Sequence, residues 1–322
     1  MIWLQLLLLI FFSLLLIKAT DILTDSLQSL ASLTGIGKLA ITSLILAFAT
    51  SIPELVVSVT AAFEGNSGLA LGTIVGSNIA NISLVVGGAA LIGGSFSVIG
   101  EFLRMDIFSV FLAGVLPLML LIDGRLSRVD GIILLLIYGL YNYGLLNAHR
   151  HSHNHRPTGL FAGVFKRKKI SRLNRSLAWL FLGAALLMFA ADMIVKLAVS
   201  IAGGLNVPVF LIGLFLVGVG ATMPELFFEI EAVKKKQAGM VLGNLFGSVV
   251  VNSTLILGIA ALINPIELAG GLNAYLLSAA VFGVMFLLFW WFVRTKKKLE
   301  RWEGVVLAAA YLVFALMEWL RA

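Results

Sequence analysis

Ala49-Thr50-Ser51-Ile52-Pro53-Glu54 and, 171 positions later, Gly220-Ala221-Thr222-Met223-Pro224-Glu225 are two copies of one element. Downstream, Gly72, Gly76-Ser77 and Asn81 recur at the same offset as Gly243, Gly247-Ser248 and Asn252, with no gap. Both copies lie in apolar sequence long enough to cross a bilayer, and each carries one carboxylate directly after a proline. An ionised acid at mid-bilayer costs about 2.5–3.5 kcal/mol on insertion scales. Two such acids placed by an internal repeat point to a cation pathway rather than to packing.

The surrounding chain has the composition of a bilayer protein. Of its 322 residues 60% are hydrophobic and 12% charged, with a mean hydropathy of +1.06. Such a sequence reads as an all-α polytopic membrane protein, a single helical domain. The apolar runs are continuous and do not alternate, which argues against a β-barrel. There is no cysteine, so disulfides, thiolate nucleophiles and thiolate-bound metals are excluded. An oxygen-preferring ion is the better match to such a chain. The net charge of +7 belongs to loops at the membrane surface and not to a nucleic-acid interface.

Polar breaks divide the sequence into ten expected spans, at about 2–19, 36–63, 68–93, 102–122, 127–147, 174–200, 205–233, 238–263, 270–293 and 302–320. The opening run, Trp3 to Ile17, has no basic residue before it and no clear cleavage site after Lys18, so it reads as a retained first span. With the N-terminus outside, 19 of the 23 Lys and Arg residues fall in or beside cytoplasmic loops. That bias predicts both termini outside a plasma or inner membrane. The repeated elements start in spans two and seven. An odd separation of five turns the second copy upside down, giving two inverted five-helix repeats, 1–147 and 174–322. Inverted repeats with a midplane site at interrupted helices are a common plan of secondary transporters. The linker, 148–173, holds all four histidines (His149, His151, His153 and His155) and Lys166 to Lys169. Two readings stand: a solvated basic loop drawn to anionic headgroups, which the composition favours, and a metal-sensing segment.

Pro53 and Pro224 each remove an amide donor and crowd the carbonyl four residues back. Backbone oxygens near Ala47–Thr50 and Gly218–Ala221 are then expected to lose helical partners. At membrane depth they need protein, water or an ion. Glu54 and Glu225 begin the resumed helices, where the helix dipole favours the ionised form. Two such charges about 5 Å apart repel by roughly 3 kcal/mol at an effective dielectric of 20. Ser77 with Asn81, and Ser248 with Asn252, each four apart on one helix face, add a hydroxyl and an amide oxygen per copy. Carboxylate, hydroxyl and carbonyl oxygens together are the ligand set of a hard cation. Gly72 and Gly76, and Gly243 and Gly247, give small faces for close helix packing.

The two segments resemble the paired repeats of the calcium/cation antiporter superfamily, specifically its sodium/calcium exchanger branch. Thr50-Ser51-Ile52-Pro53-Glu54 and Gly72-Thr73-Ile74-Val75-Gly76-Ser77-Asn78-Ile79-Ala80-Asn81 carry the likeness. The resemblance implies that Glu54 and Glu225 bind Ca2+ with the backbone oxygens of Thr50 and Ala221. It implies Na+ sites that add Ala47, Ser51, Ser77, Gly218, Thr222, Ser248, Asn81 and Asn252. Ca2+ and Na+ are then cargo, no cofactor is expected, and a monomer is the expected assembly. The second copy departs from the family pattern at Ala221, Thr222 and Val249, which leaves sodium stoichiometry open. Asn252, where potassium-dependent relatives carry Asp, argues against potassium co-transport.

Three other features and three rival functions complete the reading. Glu229, one turn past Glu225, lines a vestibule or else sits at the interface among Glu231 and Lys234 to Lys236. Asp192 and Lys196 are expected to pair, and Asp106 to lie at the interface near Arg104. The rivals are a proton-coupled or Mg2+/Mn2+ exchanger, a cation channel, and an intramembrane enzyme. The last lacks any histidine in a predicted span and any His-Glu-x-x-His motif.

Overall fold

The computed structural model describes residues 2–34, 48, 50–98, 106–152, 167–268 and 272–321. Helix α1 (Ile2–Thr34) is followed by α2 (Ile52–Phe63), α3 (Ser67–Gly93), α4 (Asp106–Leu120) and α5 (Arg128–Ser152). After the linker come α6 (Arg167–Leu205), α7 (Val209–Lys234), α8 (Ala238–Ile263), α9 (Leu272–Lys296) and α10 (Arg301–Arg321). Among the described residues, seven helices are long and apolar enough to cross a membrane: α1, α3, α6, α7, α8, α9 and α10. α2 and α4 are shorter apolar helices. The first span is longer than the expected 2–19, running to Thr34, and α6 is longer at both ends than 174–200. Of the segment 148–173, residues 148–152 and 167–173 are helical, because they continue α5 and α6. His153, His155, Lys166, Ala47 and Arg104 lie outside the described residues.

Burial sorts the helices into centre and rim. In α3, 94% of the most apolar window is buried, against 22% in α1, so α3 is the central helix. α1 and α6 form an antiparallel outer pair. Gln5 Nε2 donates to Ser200 Oγ at 2.8 Å, whereas Ala19 and Leu23 lie against Gly183. Their outer faces present large apolar residues such as Trp3, Leu7, Phe181 and Met188. This is the surface lipid requires.

Contacts in one half recur, exchanged, in the other. α3 and α8 run antiparallel: Asn264 Nδ2 donates to Ser67 Oγ near one end, and Asn78 Nδ2 to Ser253 Oγ further along. Gly87 of α3 meets the Gly304 carbonyl of α10, and Gly131 of α5 meets the Gly258 carbonyl of α8. Each half therefore lays its fifth long helix on the central helix of the other. Two short ribbons repeat the exchange. β1 (Phe96–Ser97) pairs antiparallel with β4 (Lys298–Leu299), and β2 (Arg125–Leu126) with β3 (Ile266–Glu267).

The closest approach is between α3 and the first half of α7. A Cβ on Gly72 would stand 2.1 Å from the Phe210 carbonyl oxygen, and one on Gly76 2.1 Å from that of Leu214. The small face predicted from the Gly72/Gly76 spacing thus brings backbone against backbone. π-helical turns interrupt both central helices at equivalent points, Asn81–Val85 and Val251–Ile256. A wide turn inside an α-helix frequently marks a functional site, and each of these includes a repeated asparagine.

Candidate cation-binding site

In the second copy the proline element breaks its helix less than the sequence suggests; in the first, Ala47 and Ala49 lie outside the described residues. Ser51 (φ −86°, ψ 5°) and Thr222 (φ −82°, ψ −2°) form a single turn, and α2 and the second part of α7, from Met223, resume at once. The prolines sit in the first turn, where a missing amide costs little. In the second copy backbone bonds run to both sides of the turn, Thr222 N donating to Gly218 O at 3.2 Å and Leu226 N to Thr222 O at 3.1 Å; in the first, α2 opens with Leu55 N donating to Ser51 O at 2.9 Å. The Gly218 oxygen also accepts from Ser77 Oγ at 3.2 Å. Of the expected run of stranded oxygens, that of Gly218 is therefore engaged within the protein. The clash that Pro224 would make with the Gly220 carbonyl is relieved by the turn at Thr222.

Both glutamates are fully buried, with 0% exposure. Each is met by the repeated serine of its own half. Ser248 Oγ donates to Glu225 Oε1 at 2.7 Å. Ser77 Oγ lies 3.5 Å from Glu54 Oε1, dividing its one proton between that oxygen and Gly218. Glu225 is thus held tightly and Glu54 loosely. Their second oxygens, Glu54 Oε2 and Glu225 Oε2, have no hydrogen-bonding partner. The two carboxylates are close enough to repel one another. Asn81 and Thr50 also approach Glu225, so residues of both halves converge on it.

The neutral candidates differ in what they offer. Ser51 Oγ, both amide atoms of Asn81, and Asn252 Oδ1 are buried without a partner. Asn252 Nδ2 donates to Asn78 Oδ1 at 3.2 Å, leaving its oxygen available. Thr222 Oγ1 turns back to Val219 O at 3.0 Å, a bond within its own helix. Ala221 is buried, and only its backbone oxygen can serve. Burying polar atoms unmatched costs about 1–3 kcal/mol each. A cluster of unmatched oxygens around two like charges is costly as packing and favourable as a cation cage. Among the described residues no three His, Asp or Glu side chains gather as a metal cluster. Carboxylates plus neutral oxygens are what a hard ion accepts.

Two residues to which the sequence reading gave no role hold the halves together here. Asn78, matched by Val249 in the second copy, ties α3 to α8 through Ser253 and Asn252. Asn244, matched by Thr73, accepts from Thr50 Oγ1 at 2.9 Å and donates to Glu229 Oε1 at 3.4 Å. Glu229 is 1% exposed and so lies inside the helix bundle, away from the exposed ion pairs of Glu231 with Lys234 and Lys235. Asp192 and Lys196 pair at 2.8 Å as expected. The side chain of Asp106 lies outside the described residues.

Comparison with known proteins meets this geometry. The sequence profile of the sodium/calcium exchanger protein family matches residues 4–147 and 175–320. The chain belongs to the sodium/calcium exchanger family. It is 32% identical to the inner membrane protein YrbG of Escherichia coli over 319 residues, 95% of this chain and 94% of that one. It is 27% identical to the sodium/calcium exchanger MaX1 of Methanosarcina acetivorans, over 94% and 95% of the two chains. A solved structure of the sodium-calcium exchanger NCX_Mj, soaked with Na+ and Sr2+, superposes with a TM-score of 0.63 at 26% identity. The match covers 97% of this chain and 98% of that one. The family member described here is a multi-pass membrane protein and a cation antiporter. Its named relatives are an inner membrane protein and a sodium/calcium exchanger.

Proposed function

We propose that this antiporter exchanges Ca2+ for Na+ by alternating access, with Glu54 and Glu225 as the shared anionic centre. One observation carries the reading: two fully buried carboxylates from opposite copies of one element, each with an oxygen left unmatched. Two negative charges suit one Ca2+ or two or more Na+, and an emptied site keeps its repulsion. One load therefore leaves as another arrives. Ca2+ is held by Glu54 and Glu225 with the backbone oxygens of Thr50 and Ala221. Na+ uses Ser51, Ser77, Asn81, Ser248, Asn252 and the backbone around Ala47, Gly218 and Thr222. Thr222 contributes through its backbone, since its hydroxyl is committed to Val219.

The proposed frame is ten transmembrane helices in two inverted five-helix halves, 1–147 and 174–322, joined by the cytoplasmic segment 148–173. The antiparallel run of α3 and α8, the exchanged glycine contacts and the exchanged ribbons support it. Both termini lie outside, and a single chain is sufficient to complete the site. The test is Ca2+ uptake into proteoliposomes with and without an opposed Na+ gradient. Uptake driven by the Na+ gradient, and lost in Glu54→Gln and in Glu225→Gln, supports the reading. Uptake that ignores Na+ and follows a pH gradient overturns it in favour of proton coupling.

A further inference from the structure

A third acid stands next to this centre, and only in the second half. Glu229 is 1% exposed and one helical turn beyond Glu225, between it and the Lys234 end of α7. Its first-half counterpart is Ser58, and that of its partner Asn244 is Thr73. A chain of polar contacts joins the two buried acids of α7. Ser248 Oγ donates to Glu225 Oε1 at 2.7 Å and lies 3.5 Å from Thr50 Oγ1. Thr50 donates to Asn244 Oδ1, and Asn244 Nδ2 to Glu229 Oε1.

We propose that Glu229, with Asn244 and Thr50, forms an additional subsite for one monovalent cation beside Glu225, present in the second half alone. Charge and valence support it. Five acids are buried among the described residues and no Lys, Arg or His is; Glu303 accepts from Glu300 N and Glu318 pairs with Arg321 on α10, which leaves Glu54, Glu225 and Glu229 as three acids with no cation beside them. A single Ca2+ neutralises two carboxylates and leaves the third. Glu229 Oε2 has no hydrogen-bond partner. An ionised carboxylate lacks a donor there, and a protonated one lacks an acceptor for its O–H, so neither form is matched by protein atoms alone. A monovalent cation matches the charge and the free oxygen together, and Thr50 Oγ1, 2.9 Å from Asn244 Oδ1, is a neutral oxygen on the far side of the same amide. The first half offers only the unmatched hydroxyls of Ser58 and Thr73 at the equivalent places. The inference rests on the proposed Na+-coupled exchange and adds an asymmetry to it.

Equilibrium binding of radioactive Na+ to purified, Ca2+-free protein tests the subsite, with Glu229→Gln as the first variant. A Glu229→Ser/Asn244→Thr double variant, which installs the residues of the first half, carries the test should Glu229→Gln not fold. Monodispersity on size exclusion reports folding. Both variants are expected to bind one Na+ fewer than the parent at saturation. Equal saturation in parent and folded variants overturns the subsite while leaving Ca2+/Na+ exchange standing, whether Glu229 holds a proton or a water. A parent that binds no Na+ at all overturns the exchange reading and the subsite together.

Discussion

Replacing Gly76 by alanine tests how closely the halves must pack for the site to exist. The new Cβ would stand 2.1 Å from the Leu214 carbonyl oxygen and 2.8 Å from its Cα and carbonyl carbon. All three are backbone atoms, so no side chain can swing aside. Reaching the ordinary contact distance of 3.4 Å requires a retreat of about 1.3 Å between α3 and α7. Ser77 is the next residue and moves with it. Its bonds of 3.2 Å to Gly218 O and 3.5 Å to Glu54 Oε1 would both stretch past useful length. Losing two buried hydrogen bonds costs about 1–3 kcal/mol and overpacking about 1–3 kcal/mol more. The expected total is roughly 2–6 kcal/mol, with the Glu54 carboxylate left without its serine. Gly68→Ala is the control, because nothing lies within 4 Å of its Cβ. Thermal unfolding in detergent and Na+-driven Ca2+ uptake are the assays. Gly76→Ala is expected to unfold at a clearly lower temperature and to lose uptake, while Gly68→Ala matches the parent. A Gly76→Ala protein equal to the parent in both would refute the backbone-contact argument.

Ser248 and Thr222 should separate by where their protons go. Ser248→Ala removes the 2.7 Å bond that holds Glu225 and is expected to raise the half-saturating Ca2+ concentration about 10- to 150-fold, one charged hydrogen bond being worth about 1.5–3 kcal/mol. Thr222→Val, whose hydroxyl serves only Val219 O, should stay within about twofold in the same uptake titration. Outside the membrane, Lys296, then Lys298 and the Trp302 indole, hold Glu300 down at about 2, from an ordinary 4.5. A depressed acid contributes stability that is full above the unfolded value and is lost as pH falls through the folded one. The stability gap between parent and Glu300→Gln should therefore be constant above about pH 5 and close between pH 4.5 and 2. Thermal unfolding across that range measures it.

The fold was largely legible because its decisive signals are local and repeated. Hydropathy marked the apolar runs, and an ungapped 171-residue offset marked Glu54, Glu225 and their serines. What escaped was set by neighbours distant in sequence. Asn78 and Asn244 lack their repeat partners, which left them without a role in the sequence, and their bonds to Ser253, Asn252 and Thr50 bridge the halves. Glu229 could not be assigned between vestibule and interface, since helix spacing alone does not say whether Asn244 stands opposite it. The break at Pro224 was overestimated, because a proline in the first turn of a helix displaces few bonds. Helix ends such as Thr34 were missed because α1 extends beyond its apolar run through polar sequence.

Ion density is the most direct measurement of the central claim. Crystals soaked in Ca2+, or in Sr2+ for a stronger anomalous signal, should show one peak bounded by Oε2 of Glu54 and Oε2 of Glu225, replaced by weaker features after a Na+ soak. An exchange-competent protein whose peak lies elsewhere, or whose two glutamates stay unliganded at saturating Ca2+, would contradict the account.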